Sequence, residues 1–230
     1  MLRYFVFFLL ICFYLQSSAQ KSYSIKGFIK NEINPQMSIS GPLKNGNYVY
    51  LEYLSGKVDS SIIKDNRFFF EGSIANPEPA SLNHAHGGAT ILLSYESNFE
   101  VEFILNSPES GLYEYLSNVN SDSFFYNTWL KVGNRSHSLV KKRSELQNLN
   151  QQSINIESKN EIEVINKLLD NLYSSIIKNN QLINIEKAYI LMSDPNFSNE
   201  KYKSFFDELS TTEKETKIGS LFKKKLENFS

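Results

Sequence analysis

The stretch NFEVEFIL, residues 98–105, decides the fold class, because apolar and acidic side chains alternate along it. Successive side chains of an extended strand point to opposite faces, so Glu100 and Glu102 fall together on the solvent side. The four apolar side chains share the other face: Phe99, Val101, Phe103 and Leu105. This pattern predicts a β-strand that packs one face against a core.

The same period of two extends back to Tyr23 and predicts about seven short strands. Phe68 and Phe70, for example, alternate with Phe69 and Glu71. Turn-forming residues separate the strands, at Asn45-Gly46, Lys64-Asp65-Asn66, Asn76-Pro77, Gly87-Gly88 and Ser97-Asn98. No helical pattern interrupts them, so residues 20–106 are predicted to form an antiparallel β-sandwich.

After residue 106 the apolar period becomes helical. Ser107-Pro108-Glu109 is typical of a helix start, and Ser158, Ser198 and Thr212 are predicted to cap later helices. The apolar stripe that follows Ser158 is Ile162, Ile165, Leu169, Leu172 and Ile176. About five helices are expected, with Gly133-Asn134 as a break. The predicted class is therefore α+β, with an all-α segment at 107–230 behind the sandwich.

Composition excludes several classes of function. The chain has 24 Lys+Arg against 25 Asp+Glu and a net charge of -1, so no basic field for nucleic acid is expected. Cys12 is its single cysteine, which excludes a disulfide framework, a C-x-x-C redox pair and a cysteine-rich zinc site.

The first nineteen residues have the layout of a secretory signal peptide. Arg3 precedes the apolar run Tyr4–Leu15, and small residues at Ser17 and Ala19 suit cleavage after Ala19. The run would cover about 18 Å as a helix, less than a hydrocarbon core of ~30 Å, so an uncleaved anchor is the weaker alternative. We expect export to the periplasm or cell envelope, and a mature chain with neither a cysteine nor a membrane span.

His84 and His86 are the candidate metal ligands, because H-x-H places two imidazoles on one face of a strand. A third ligand would be needed, and His137 is the only other histidine in the sequence. The alternative interpretation is an exposed polar loop between strands, since Gly87 and Gly88 follow directly.

No catalytic residue and no cofactor are predicted. Asp59-Ser60-Ser61 places a carboxylate beside hydroxyls, and Glu100 and Glu102 are paired carboxylates, but turn formation and strand alternation explain both. The sequence contains no nucleophile elbow, dinucleotide fingerprint, Walker A loop, zinc-protease motif or EF-hand loop.

Tyr50 and Phe69 are the candidate contact surface. Both are expected on the outer side of their strands, next to each other if those two strands pair. An exposed aromatic patch indicates a contact site, unless the helical segment covers that face.

The order of the strand motifs resembles the DUF4369 domain, which has no assigned function and is common in Bacteroidetes envelope proteins. The resemblance covers about residues 23–106, through the segments Ile25–Ile29, Val49–Leu51, Lys57–Ser60, Asp65–Gly72, Asn76–Ala80, Ile91–Leu93 and Asn98–Val101. The Ser-Ala-Gln end of the predicted leader is similar to signal sequences of that phylum.

In that family the domain often precedes a helical segment and a thioredoxin-like domain of the TlpA/ResA kind. Residues 121–229 resemble the helical segment, but the sequence stops at Ser230, where the thioredoxin-like domain would begin. The resemblance therefore implies an envelope location and a non-catalytic front module of unknown binding role. Because the core pattern is complete and contains no constellation of catalytic residues, the predicted function is a binding or interaction module. Two alternatives stay open: an accessory subunit of a separately encoded thioredoxin-like system, and a metal-dependent hydrolase using His84 and His86.

Overall fold

The computed structural model describes residues 22–31, 43–106, 114–152 and 156–229, in which eight strands precede six helices. The strands are β1 Ser22–Lys30, β2 Tyr48–Tyr53, β3 Val58–Ile62, β4 Arg67–Ser73, β5 Glu78–His84, β6 Gly87–Leu93, β7 Ser97–Asn106 and β8 Glu114–Ser121. The helices are α1 Phe124–Gln152, α2 Ile156–Ile177, α3 Asn184–Leu191, α4 Asn199–Glu208, α5 Thr211–Glu215 and α6 Lys217–Asn228.

The predicted α+β class is confirmed; the leader at 1–19 and the helix start at Ser107 lie outside the described residues.

Two four-stranded sheets form the sandwich, in the orders β4-β1-β7-β8 and β3-β2-β5-β6. The strands pair antiparallel, as expected, except that β1 and β7 run parallel in the middle of the first sheet. A parallel pair needs a long crossover, and here the chain makes the whole second sheet between β1 and β7. Alternation along a strand reports which face is buried and carries no information on direction.

Strand β8 extends the sheet beyond the predicted boundary at residue 106. It pairs with β7 from Asn106↔Glu114 to Phe99↔Ser121, so the change from strands to helices falls between Ser121 and Phe124. Tyr115 is the one fully buried residue of its sequence, EYLSNVNS. An edge strand with one buried side chain gives almost no alternating pattern, which is why this strand was not predicted.

The helix boundaries differ from the predicted ones at three of four positions. Helix α1 continues through Gly133, where a single glycine costs about 1 kcal/mol and does not end a long helix. Ser158 lies inside α2, and the capping box before α5 uses Ser210 instead of Thr212. The cap at Ser198 is confirmed, since its Oγ accepts the Lys201 N–H at 3.2 Å.

The helices pack against one end of the sandwich. Tyr126 of α1 meets Phe99 with ring centroids 5.6 Å apart, and Ser94 donates to the buried Glu186 carboxylate of α3 at 2.5 Å. One continuous core of buried apolar side chains runs from the strands into the helices. The boundary between Ser121 and Phe124 is thus a change of layer within one core. The outer faces of both sheets keep exposed aromatic side chains.

Candidate functional site

Tyr50 and Phe69, the predicted contact residues, lie on different sheets. Tyr50 is on β2 and Phe69 on β4, and these strands do not pair, so the condition under which the two side chains would be neighbours in one sheet is not met. Both side chains are nevertheless exposed, by 43% and 48%. The helical segment sits at the end of the sandwich and leaves them open to solvent.

Ile62 at the end of β3 joins the two positions into one surface. It pairs with Tyr48 across β2 and β3, and it lines the same groove as Phe69 and Phe28. The Tyr48 and Tyr50 rings stack at 6.2 Å. We call this surface the aromatic strip: Phe28, Tyr48, Tyr50, Ile62 and Phe69.

A tight hairpin brings the two sheets together beneath the strip. Asp65 and Asn66 both adopt positive φ, 51° and 56°, as a two-residue turn between twisted strands requires. Lys64 and Arg67 exchange backbone hydrogen bonds of 2.9 Å across this turn. The Phe69 N–H, on the free edge of β4, donates to Ser61 Oγ at 3.1 Å, which closes the gap between the sheets.

The groove at this junction has a volume of about 520 Å³ and combines apolar and basic side chains. Its cations are Lys26, Lys64 and Arg67, and none of its lining side chains is acidic. The Arg67 guanidinium lies over the Phe28 ring, with 5.6 Å between Cζ and the ring centroid. We call this feature the basic groove; it can bind groups that carry both negative charge and apolar surface.

His84 and His86 do not share a strand face. Strand β5 ends at His84, whose ring turns inward against Phe103 and Tyr115, with centroids 4.5 and 5.3 Å away. Its Nδ1 accepts the His86 N–H at 3.1 Å, and its Nε2 is buried without a hydrogen-bond partner. Burial, and then the charge of His86, lowers the pKa of His84 to about 4.

The histidine pair gains no third ligand in the part of the chain that is described, where no three His, Cys, Asp or Glu side chains gather in metal-binding geometry. His137 lies on α1, in the helical segment. His84 is also too buried for the alternative interpretation as an exposed loop.

The Asp59-Ser60-Ser61 stretch is occupied by structural contacts. Asp59 Oδ2 accepts the Tyr53 hydroxyl at 2.7 Å and the Lys57 ammonium at 2.8 Å, and Lys57 holds the pKa of that carboxyl below its usual range. Tyr53 also hydrogen-bonds Tyr23, and burial raises the pKa of both phenols. These residues lie up to 36 positions apart in sequence (23 to 59), so local spacing could not reveal the network.

Glu100 and Glu102 point outward from β7, as predicted. Glu102 pairs with Lys30 at 2.6 Å, and this contact lowers the pKa of its carboxyl. Glu100 lies opposite Lys26 of β1 and Asn120 of β8 in the register of the sheet. The two glutamates belong to the polar outer side of the sheet.

Comparison with known proteins adds no relative: no family model, no curated protein and no solved structure matches the chain. The resemblance to the DUF4369 domain therefore stays a prediction from the sequence. Within the described ranges, no helix combines the length and the apolar character needed to cross a bilayer.

Proposed function

We propose that this protein is a non-catalytic binding module, exported to the cell envelope, that uses the basic groove and the aromatic strip to hold an acidic partner segment with apolar side chains. The observation that carries the proposal is an open groove of about 520 Å³ in which three cations surround exposed Phe69 and Ile62. Isolated exposed apolar residues are common, but a contiguous patch rimmed by charges of one sign is typical of an interaction site.

The charges of the groove define the partner. Lys26, Lys64 and Arg67 make no ion pair with any described residue, so their charges are available to a ligand. An exposed ion pair contributes only about 0.2–1 kcal/mol, so most affinity must come from burying Phe69 and its apolar neighbours. The expected complex is weak, reversible and weakened by salt.

The contacts of the Asp59-Ser60-Ser61 stretch favour a binding role over a catalytic one. Ser61 Oγ accepts the Phe69 N–H and the Asp59 carboxylate is shared by Tyr53 and Lys57, so Asp59 is not directed at either serine as a base. A serine nucleophile needs both an adjacent base and an oxyanion hole. The export part of the proposal rests on the sequence layout of residues 1–19.

The test is a binding titration of the purified protein with a labelled synthetic peptide in which glutamate alternates with leucine, followed by fluorescence anisotropy. Phe69→Ser should weaken binding at least tenfold, because it removes the largest apolar contact of the groove. Leu116→Ser is the matched control, since Leu116 is similarly exposed on the outer side of β8, away from the groove. Its affinity should equal that of the wild type.

A charge reversal separates the contribution of the cations to the affinity from that of the apolar side chains. Arg67→Glu should weaken binding by about three- to tenfold at low salt and by less at high salt, whereas Lys178→Glu, in the helical segment, should leave it unchanged. The proposal would be overturned if the wild-type protein does not bind the acidic peptide, or if it binds an equivalent lysine–leucine peptide equally well.

A further inference from the structure

Strand β3 lies at the edge of its sheet, and its ladder with β2 uses only one side of its backbone. At one end of this ladder the Ile63 N–H donates to the Asn47 carbonyl at 2.8 Å. At the other end the Tyr53 N–H donates to the Lys57 carbonyl at 2.9 Å. Successive residues of a strand direct their backbone groups to opposite edges, so the odd-numbered residues of β3 face β2. The residues whose N–H and C=O groups face away from β2 are Val58, Ser60 and Ile62.

The backbone groups of these three residues have no hydrogen-bond partner within the described ranges. Strand β4 lies on the same side, but the two strands are bridged only at the turn, where Lys64 and Arg67 exchange hydrogen bonds. The Phe69 N–H then donates to the side chain of Ser61 instead of to the backbone of Ile62. The strands therefore diverge into different sheets, and both of them line the basic groove.

Of the two strand edges that border the groove, the edge of β3 is the more available for pairing. On β4, the N–H and C=O groups of Arg67 and the N–H of Phe69 already have partners. On β3, Val58 and Ile62 are 56% and 38% exposed, and Ser60 between them is exposed as well. A strand with a free backbone edge is a template for pairing with another extended segment, and exposed side chains at alternate positions add specific contacts.

We infer that the acidic partner segment binds in an extended conformation, as an additional strand on the free edge of β3 along the basic groove. The inference rests on the proposed function, and it adds the backbone conformation of the partner and the edge with which the partner pairs. Strand β3 leads from Ile62 into the turn that carries Lys64 and Arg67, and no acidic side chain lines the groove. Charge complementarity therefore selects an acidic segment.

The length of the free edge sets the length of the paired segment. From Val58 to Ile62 the edge spans roughly 13 Å, so about five partner residues pair with it. Main-chain hydrogen bonds then supply affinity that does not depend on the exact sequence of the partner, and its alternate side chains contact the groove.

N-methylated versions of the glutamate–leucine peptide test this conformation. The N–H groups of successive residues point to opposite edges of a strand, so the glutamate amides and the leucine amides face opposite sides of the bound peptide. One peptide carries methyl groups on all glutamate amides and the other on all leucine amides, and each is the control for the other. One of the two should bind at least tenfold more weakly than the unmodified peptide, because several main-chain hydrogen bonds are lost. The other should retain the affinity.

A proline variant tests the edge on the protein side. Ser60→Pro removes an N–H that faces away from β2, and edge strands accept proline at such positions. It should weaken binding of the unmodified peptide at least tenfold. Ser60→Ala is the matched control, because it removes only an exposed hydroxyl, and it should bind like the wild type. In amide hydrogen exchange of the wild type, the peptide should slow exchange at Val58, Ser60 and Ile62 and leave Glu71 of β4 unchanged.

The inference would be overturned if both methylated peptides keep the affinity of the unmodified one, or if both lose it equally. A folded Ser60→Pro protein that binds like the wild type, or slowed exchange at Glu71 and not on β3, would also overturn it. All of these results leave the proposed function standing, whereas an unmodified peptide that does not bind would overturn both. If circular dichroism shows that Ser60→Pro does not fold, the methylated peptides and the exchange measurement still decide.

Discussion

His84 is a buried base that the fold keeps neutral. Its pKa falls from 6.5 to about 4, first because burial penalises the charged ring and second because His86 is close. Protons therefore bind the unfolded chain more readily than the folded one. The contribution of neutral His84 to the free energy of unfolding is fully present above about pH 6.5. It is lost as the pH falls from there towards 4.

We expect the free energy of unfolding to decrease by up to about 3 kcal/mol between pH 7 and pH 4 through this residue, because its pKa is about 4 in the folded chain and 6.5 in the unfolded one. Urea titrations at a series of pH values measure it. His84→Leu should flatten the profile over this range, whereas His137→Leu, on the exposed side of α1, should retain the slope. An unchanged slope in His84→Leu would contradict the assignment.

Individual side chains were predictable where alternation decides their environment. Phe68 and Phe70 are buried and Phe69 is exposed, as the period of two along β4 predicts. The burial of His84 was not predictable, because the strand ends at that residue. The turn at 85–86 then places His84 and His86 in different orientations. A pattern along a strand says nothing about the residue at which the strand stops.

At the scale of single elements, the corner between α3 and α4 depends on one buried carboxylate. Asp194 accepts the Lys201 ammonium at 2.7 Å, the Tyr202 hydroxyl at 2.5 Å and the Asn196 N–H at 2.8 Å. Lys201 also pairs with Asp170 of α2 at 2.6 Å. The cluster therefore ties α2 and α4 to the corner between α3 and α4.

Asp194→Ala should lower the free energy of unfolding by about 1–3 kcal/mol, because it leaves the buried Tyr202 hydroxyl without its acceptor and the Lys201 ammonium with Asp170 alone. Asp207→Ala removes an exposed pair with Lys203 on α4 and should cost less than about 0.5 kcal/mol. Chemical denaturation of both variants provides the comparison. Equal losses would show that the buried cluster contributes no more than a surface ion pair.

Elements with strong periodic patterns were predicted, and those without them were not. Strands β1, β2, β4, β5 and β7 and the stripe of α2 follow from local alternation, whereas β8 has only Tyr115 fully buried. The wrong capping residues have a related cause: Ser210-Thr-Thr-Glu213 and Thr212-Glu-Lys-Glu215 share one spacing, and only packing decides between them. The pairing of β1 with β7 joins residues about 74 positions apart (Tyr23 with Ser97), beyond any local signal.

At the scale of the whole molecule, the sandwich and the helices share one core. The Ser94–Glu186 hydrogen bond crosses their junction, and burial raises the pKa of the Glu186 carboxyl. The sequence showed two halves with different periods but could not show that the helices cover an end of the sandwich. That placement is what leaves the basic groove open.

We expect a single cooperative unfolding transition. Trp129, the only tryptophan, lies on α1, so its fluorescence reports the helices, while the far-UV circular dichroism includes both halves. The two urea curves should coincide, and Ser94→Ala should shift both by the same amount. Separate midpoints would mean that the two halves unfold independently.

The claim that the basic groove is the binding site is tested most directly by a nuclear magnetic resonance titration of the isotope-labelled protein with the glutamate–leucine peptide. We predict that the amide shifts concentrate at Lys26, Phe28, Ile62, Arg67 and Phe69, and that Phe69→Ser reduces them at the same peptide concentration. Shifts confined to other surfaces, or none at millimolar peptide, would contradict the account.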